Sequence, residues 1–254
     1  LMDPLRRDYM MEWFYRQLIR KEGIISRRYK FVDVSINGNW KGIYALDEHY
    51  DKTMLEYNHR KEGPIIRLEQ ETLFIEKLAD NYMNIMELGG QLAKLDIGVF
   101  NSKRVFAHKE LYEQFKYASN LLQAYRLGEL ETHEVFDIGK LASWMAISDI
   151  TCAWHGIVPN NMRFYYNPIT SKLEPVPDDN FNERTHYASN RCFRLEDRLF
   201  VGGFIKKMFS DHHFMEQYVK ELERISKKDY LDTLFKDLSE AIENNLSILY
   251  SDRS

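Results

Sequence analysis

The most constraining feature of this sequence is the stretch from Asp149 to Asn182, DITCAWHGIVPNNMRFYYNPITSKLEPVPDDNFN. It reads as the end of an apolar helix, a polar loop, a two-stranded hairpin and an acidic loop. The loop offers His155, Asn160 and Asn161. The hairpin is predicted to run from Met162 to Tyr166, turn at Asn167-Pro168, and return from Leu173 to Val176. Asp178 and Asp179 follow the return strand. A hairpin this short brings its ends together, so the Asn pair and the Asp pair are expected side by side. An amide oxygen beside carboxylates is a hard-oxygen set suited to Mg²⁺, which keeps several waters and takes one or two protein oxygens plus phosphate. Asp179 is the first candidate metal ligand, against a plain turn-forming Asp. Asn161 is the second, against an Asn that hydrogen-bonds its own backbone. Asp178 adjoins them, and two neighbouring carboxylates repel unless a cation compensates.

Composition narrows the class. The 254 residues suffice for one large domain or two lobes, and 44% hydrophobic with 29% charged content is ordinary for a globular chain. A formal charge of −4 argues against a nucleic-acid binder relying on a general basic surface. No run approaches the roughly 18 apolar residues of a membrane span. Cys152 and Cys192 have no metal-ligand spacing; buried thiols are expected ahead of a bridge. His108, His186, His212 and His213 form no zinc pattern, and no Walker-type loop or nucleophile elbow is present.

Asp3-Pro4 opens a helix that Gly23 stops. Tyr29 to Ile36, the Asn37-Gly38 turn and Trp40 to Leu46 make a β-hairpin. Asp47 to Asn58 reads as a helix, followed by the short strand Ile65 to Leu68. Helices are expected from Glu71 to Asp96 and Lys109 to Arg126. Another runs from Val135 to Trp154 behind a Thr132 cap, and one from Leu195 to Phe209 is split by Gly202-Gly203. Asp211 and Asp229 are read as N-caps of helices over 212–227 and 230–250. Asn182 to Asn190 reads as a polar loop. The fold class is therefore α+β, a small strand-bearing N-terminal part and a mostly helical C-terminal part with the site between them. We divide the chain into a 1–70 part and a 71–254 part carrying the hairpin 161–179.

Two separated motifs carry a resemblance. Asn161-Met162-Arg163-Phe164-Tyr165 followed by Pro177-Asp178-Asp179 resembles the metal-binding Asn and Pro-x-Asp segments of the CotH kinase family, the spore-coat-type atypical kinases. Val34-Ser35-Ile36-Asn37-Gly38-Asn39-Trp40-Lys41-Gly42-Ile43-Tyr44-Ala45-Leu46-Asp47-Glu48 resembles that family's Asn-Gly hairpin, Gly-x-Tyr and Glu segment. The likeness spans roughly residues 3 to 181. It implies an atypical protein-kinase-like fold and transfer of phosphate from ATP, with Mg²⁺ or Mn²⁺, to protein Ser/Thr hydroxyls. It also implies a nucleotide partner and a protein substrate or a coat or surface partner. By the same resemblance Glu48 and Arg67 are nucleotide-binding candidates, Arg67 standing where Lys is usual.

One position departs from the family pattern. The catalytic Asp expected about five residues before the metal Asn is absent; Gly156 and His155 stand there instead. Either His155 serves as base, with Asp149 one to two helical turns upstream to orient it, or the chain is an impaired kinase-shaped scaffold. Trp154-His155-Gly156 also resembles the His-Gly opening of aminoglycoside-type catalytic loops, but their following Asp is Ile157 here.

Overall fold

In the computed structural model, residues 1–69, 95–153, 155–157, 161–178 and 203–251 are described. Strands β1 (Tyr29–Ile36) and β2 (Asn39–Asp47) form one antiparallel sheet. Their turn places Asn37 at φ 52° and Gly38 at φ 77°, the pair of left-handed residues that a two-residue hairpin of matching twist requires. A bulge between Val34 and Ser35 interrupts the register. β2 continues to Asp47, opposite Tyr29, so strand pairing claims residues expected in a helix. Helix α2 (Lys52–Tyr57) starts only after Asp51, whose carboxylate accepts from the Met54 N–H at 3.0 Å.

The second sheet has the order β4-β3-β5-β6, every pair antiparallel. Its strands are β3 (Ile65–Leu68), β4 (Ile97–Val99), β5 (Arg163–Asn167) and β6 (Lys172–Pro175). The hairpin of β5 and β6 forms as expected, within a residue at each end. Asn167 closes its turn, accepting from the Ile169 N–H through its side chain and from the Ser171 N–H through its carbonyl. β3 sits between β4 and β5, so this sheet joins residues from both sides of position 70. Gly63, at the entry to β3, makes that approach possible: a Cβ there would lie 2.8 Å from the Tyr166 carbonyl oxygen.

The expected first helix is broken. Asp3 caps only a 3₁₀ turn, Pro4–Arg7; Asp8 and Tyr9 then take positive φ, and helix α1 runs Met10–Lys21. Gly23, at φ 65°, follows its end as expected. Helices α3 (Ser102–Ala107) and α4 (Lys109–Leu127) follow β4, and Gly128 at φ 81° closes α4. The helix expected behind Thr132 divides into α5 (Thr132–Val135) and α6 (Ile138–Thr151). The break has a cause: Phe136 bridges Leu173, and the Asp137 N–H donates to the Leu173 carbonyl before Asp137 caps α6. Three more helices are α7 (Gly203–Ser210), α8 (His212–Ile225) and α9 (Lys228–Tyr250). Asp211 caps α8 as expected, whereas Lys227 occupies the cap of α9 and Asp229 its first turn. The helix expected over 71–96 and the loop over 182–190 lie outside the described residues, apart from Leu95 and Asp96.

Residues Leu141 to Ser148 of α6 are buried on every side, against α8 and the four-stranded sheet. Inside this core the Trp144 indole N–H donates to the Tyr15 hydroxyl at 2.8 Å, tying α6 to α1. Cys152, at the left-handed C-cap of α6, is disulfide-bonded rather than a free thiol. The sequence has one other cysteine, Cys192, outside the described residues. Among the described residues no helix is long and apolar enough to cross a membrane.

Candidate functional site

The hairpin register builds the site. Phe164 pairs with Pro175, and the Val176 N–H donates to the Arg163 carbonyl. On the other side of β5, Arg163 pairs with Arg67 of β3. Asn161 lies two residues before β5 begins and Asp178 three residues after β6 ends.

Asp178 is surrounded by cations. One carboxylate oxygen accepts from the Arg16 guanidinium at 2.9 Å and from Arg27; the other accepts from the Tyr50 hydroxyl. Burial alone would raise its pKa, but Arg27, Arg16 and the Tyr50 hydrogen bond outweigh it and hold the carboxyl well below its ordinary range. Arg16, 2% exposed, also meets Glu12 at 2.7 Å and Asp47 at 3.6 Å; Arg27 meets Asp47 at 2.6 Å. These three carboxylates offset the cost of burying Arg16, whose pKa is raised. Asp47 goes the other way: burial raises its pKa, with Asp178 and Glu12 adding to the effect against the two arginines. No local pattern signals this network: Asp47 reads as a helix residue, and nothing in a lone Arg16 or Arg27 names a partner across the fold.

Asn161 and His155 are brought together. The Asn161 amide donates to the His155 carbonyl at 3.0 Å and lies 3.3 Å from its Nδ1. Asp149 accepts a hydrogen bond from the Tyr218 hydroxyl of α8. Glu48 binds Arg28, through its side chain and backbone N–H, and not Arg67. Arg67 lies 3.4 Å from Glu69 and stacks over Phe100 at 4.9 Å, with Arg163 over the same ring at 5.8 Å. Burial lowers the Arg163 pKa; Tyr50 and Asp178 oppose the shift, and Arg67 and Arg27 add to it. Asp179 and Asn160 lie outside the described residues.

Phe100 packs against Tyr50, ring centroids 4.2 Å apart, and both line a small open cleft with Leu55, Ile65, Asn101 and Arg104. Polar groups line it too: Arg104 holds Glu62 through two bonds of 2.6 and 3.0 Å.

A divalent cation fits the described donors poorly. Both Asp178 oxygens are taken by Arg16, Arg27 and Tyr50, and among the described residues no three acidic, His or Cys side chains group around one point.

The family model described as CotH kinase protein matches residues 2–250, extending the sequence likeness across the C-terminal helices. The search of curated proteins found no match.

Proposed function

The chain belongs to the CotH kinase family, and from that premise we propose that it is a phosphotransferase moving the γ-phosphoryl of Mg-ATP to a Ser or Thr hydroxyl of a protein. The observation that supports the reading is the place of Arg67, on β3 beside β5, the strand that follows Asn161, with its guanidinium over the Phe100 ring. Arg67 holds phosphate oxygens. His155 receives the hydroxyl proton as the acceptor oxygen bonds to phosphorus and ADP leaves. Asp149 supports the helix end that presents His155. Asn161 and Asp179 are the oxygens assigned to Mg²⁺, which supplies neutralisation of phosphate charge when bound. Glu48 acts indirectly, by fixing Arg28 and, through its carbonyl, Arg27.

A second reading is a kinase-shaped binding module without transfer, serving a coat or surface partner. It is favoured by the closure of Asp178 within the arginine network. Transfer of labelled phosphate from ATP, with Mg²⁺ or Mn²⁺, to the chain itself or to a protein mixture separates the two. Incorporation that disappears in Arg67→Met and Asp179→Ala supports the phosphotransferase. Stabilisation by ATP with no incorporation establishes the binding module.

A further inference from the structure

Phe100 has no assigned part in phosphoryl transfer, yet it meets the side chain on which nucleotide binding rests. Gly98 of β4 stands directly opposite Arg67, so Phe100, two residues further on, is the diagonal neighbour of Arg67 on the same face of the sheet. Gly98 has no side chain to cover Arg67, whose guanidinium lies over the Phe100 ring at 4.9 Å. The ring is itself fixed. The Phe100 N–H donates to the Ile65 carbonyl at 3.0 Å, two residues before Arg67. The Tyr50 ring packs on Phe100 at 4.2 Å, and the Asn101 amide donates to the Tyr50 carbonyl at 2.9 Å. Phe100 also packs on the small apolar cluster that contains Tyr50, Leu55 and Ile65. Glu69, by contrast, reaches Arg67 only at 3.4 Å, and both of those side chains are more than a third exposed. A guanidinium is planar and stacks on aromatic faces, whereas its long stem left alone samples many rotamers.

We propose that Phe100 is a positioning residue for Arg67: stacking on its ring sets the plane and the reach of the guanidinium before any ligand arrives. The inference rests on the proposed role of Arg67 in holding nucleotide phosphate, and adds to it the side chain that preorganises that role. An arginine already kept in one rotamer loses little freedom on binding, whereas one that swings free must be ordered by its ligand.

Thermal midpoints of the full chain across an ATP titration with Mg²⁺ test this. The proteins compared are the native chain, Phe100→Leu, Phe100→Tyr, Arg67→Met and the double variant Phe100→Leu with Arg67→Met. Phe100→Leu is expected to weaken ATP binding about three- to tenfold, and Phe100→Tyr, which keeps a ring, to bind as the native chain does. Added to Arg67→Met, Phe100→Leu should weaken binding no further, because a residue that acts only through Arg67 has nothing left to position. A merely structural role would weaken binding in both backgrounds, so the coupling separates the two. Phe100→Met, whose flexible chain refills the space, serves the same comparison should the Leu variant not fold. Full ATP affinity in Phe100→Leu beside a weakened Arg67→Met overturns the positioning and leaves the phosphotransferase reading intact. A loss that persists undiminished in the Arg67→Met background also overturns it, because the ring then acts without Arg67. Native ATP affinity in Arg67→Met removes Arg67 from nucleotide binding, and the positioning falls with it.

Discussion

Arg16 and Asp178 stand 162 residues apart in sequence and 2.9 Å apart in the fold, the first at 2% exposure on α1 and the second just beyond β6. The pair fastens the N-terminal helix to the end of the site hairpin. Removing one partner of a buried pair leaves an uncompensated charge and costs about 3–5 kcal/mol. Arg16→Met is therefore expected to lower unfolding free energy in urea by that amount. A loss under about 1 kcal/mol would show the network to be dispensable.

Acid should act on the same pair. The folded-state pKa of Asp178 is depressed, so its contribution is complete above the unfolded value of about 3.9 and is lost as pH falls below it. Asp47 has the opposite sign: its raised folded pKa means that protonation relieves a cost, so it adds stability as pH falls. Asp178→Asn is expected to be less stable than the native chain at pH 7 and to show a flatter stability curve below pH 4. Parallel curves would assign the acid limb to other carboxylates.

Gly63 marks where β3 enters the sheet against β5. A Cβ there would meet the Tyr166 carbonyl at 2.8 Å and the Tyr165 ring at 2.9 Å, and the carbonyl already belongs to a paired strand. Gly63→Ala should cost about 1–3 kcal/mol, as overpacking does, and should weaken the ATP-induced midpoint shift by moving Arg67. An alanine variant as stable as the native chain would mean that the strand entry yields freely.

How much of this was legible follows from the range of the interactions. Asn37-Gly38 announces its turn because only the local backbone decides it, and Asp211 announces its cap for the same reason. The short hairpin was readable from its turn and its two flanking runs. The Asp137 break was not, because it depends on Leu173, far along the chain. Strand β4 was missed, since three residues containing Gly98 carry no alternation to detect. Arg16 and Arg27 were invisible as site residues: a charged side chain on a helix or loop normally faces water, and their burial is decided by Asp47 and Asp178 together. Arg163 could have been noticed as a charge inside an otherwise apolar strand beginning, but its partner Arg67 required the β3–β5 pairing.

Glu48 offers a test between the family resemblance and the observed contacts. It pairs with Arg28, which is about half exposed, and not with Arg67. Water screens such an exposed pair. Glu48→Gln is accordingly expected to leave both the unfolding midpoint and the ATP-induced midpoint shift unchanged. A lost shift with normal stability would place Glu48 in direct service of the nucleotide.

On the phosphotransferase reading His155 is the base, and the Asn161 amide holds its loop by donating to the His155 carbonyl, 3.0 Å away. General base catalysis supplies about 10²–10⁴-fold. His155→Gln is expected to lower phosphoryl transfer by at least about 100-fold, with ATP binding retained. If His155→Gln transfers phosphate at the native rate, the proton leaves by another route and the site works by positioning and charge alone.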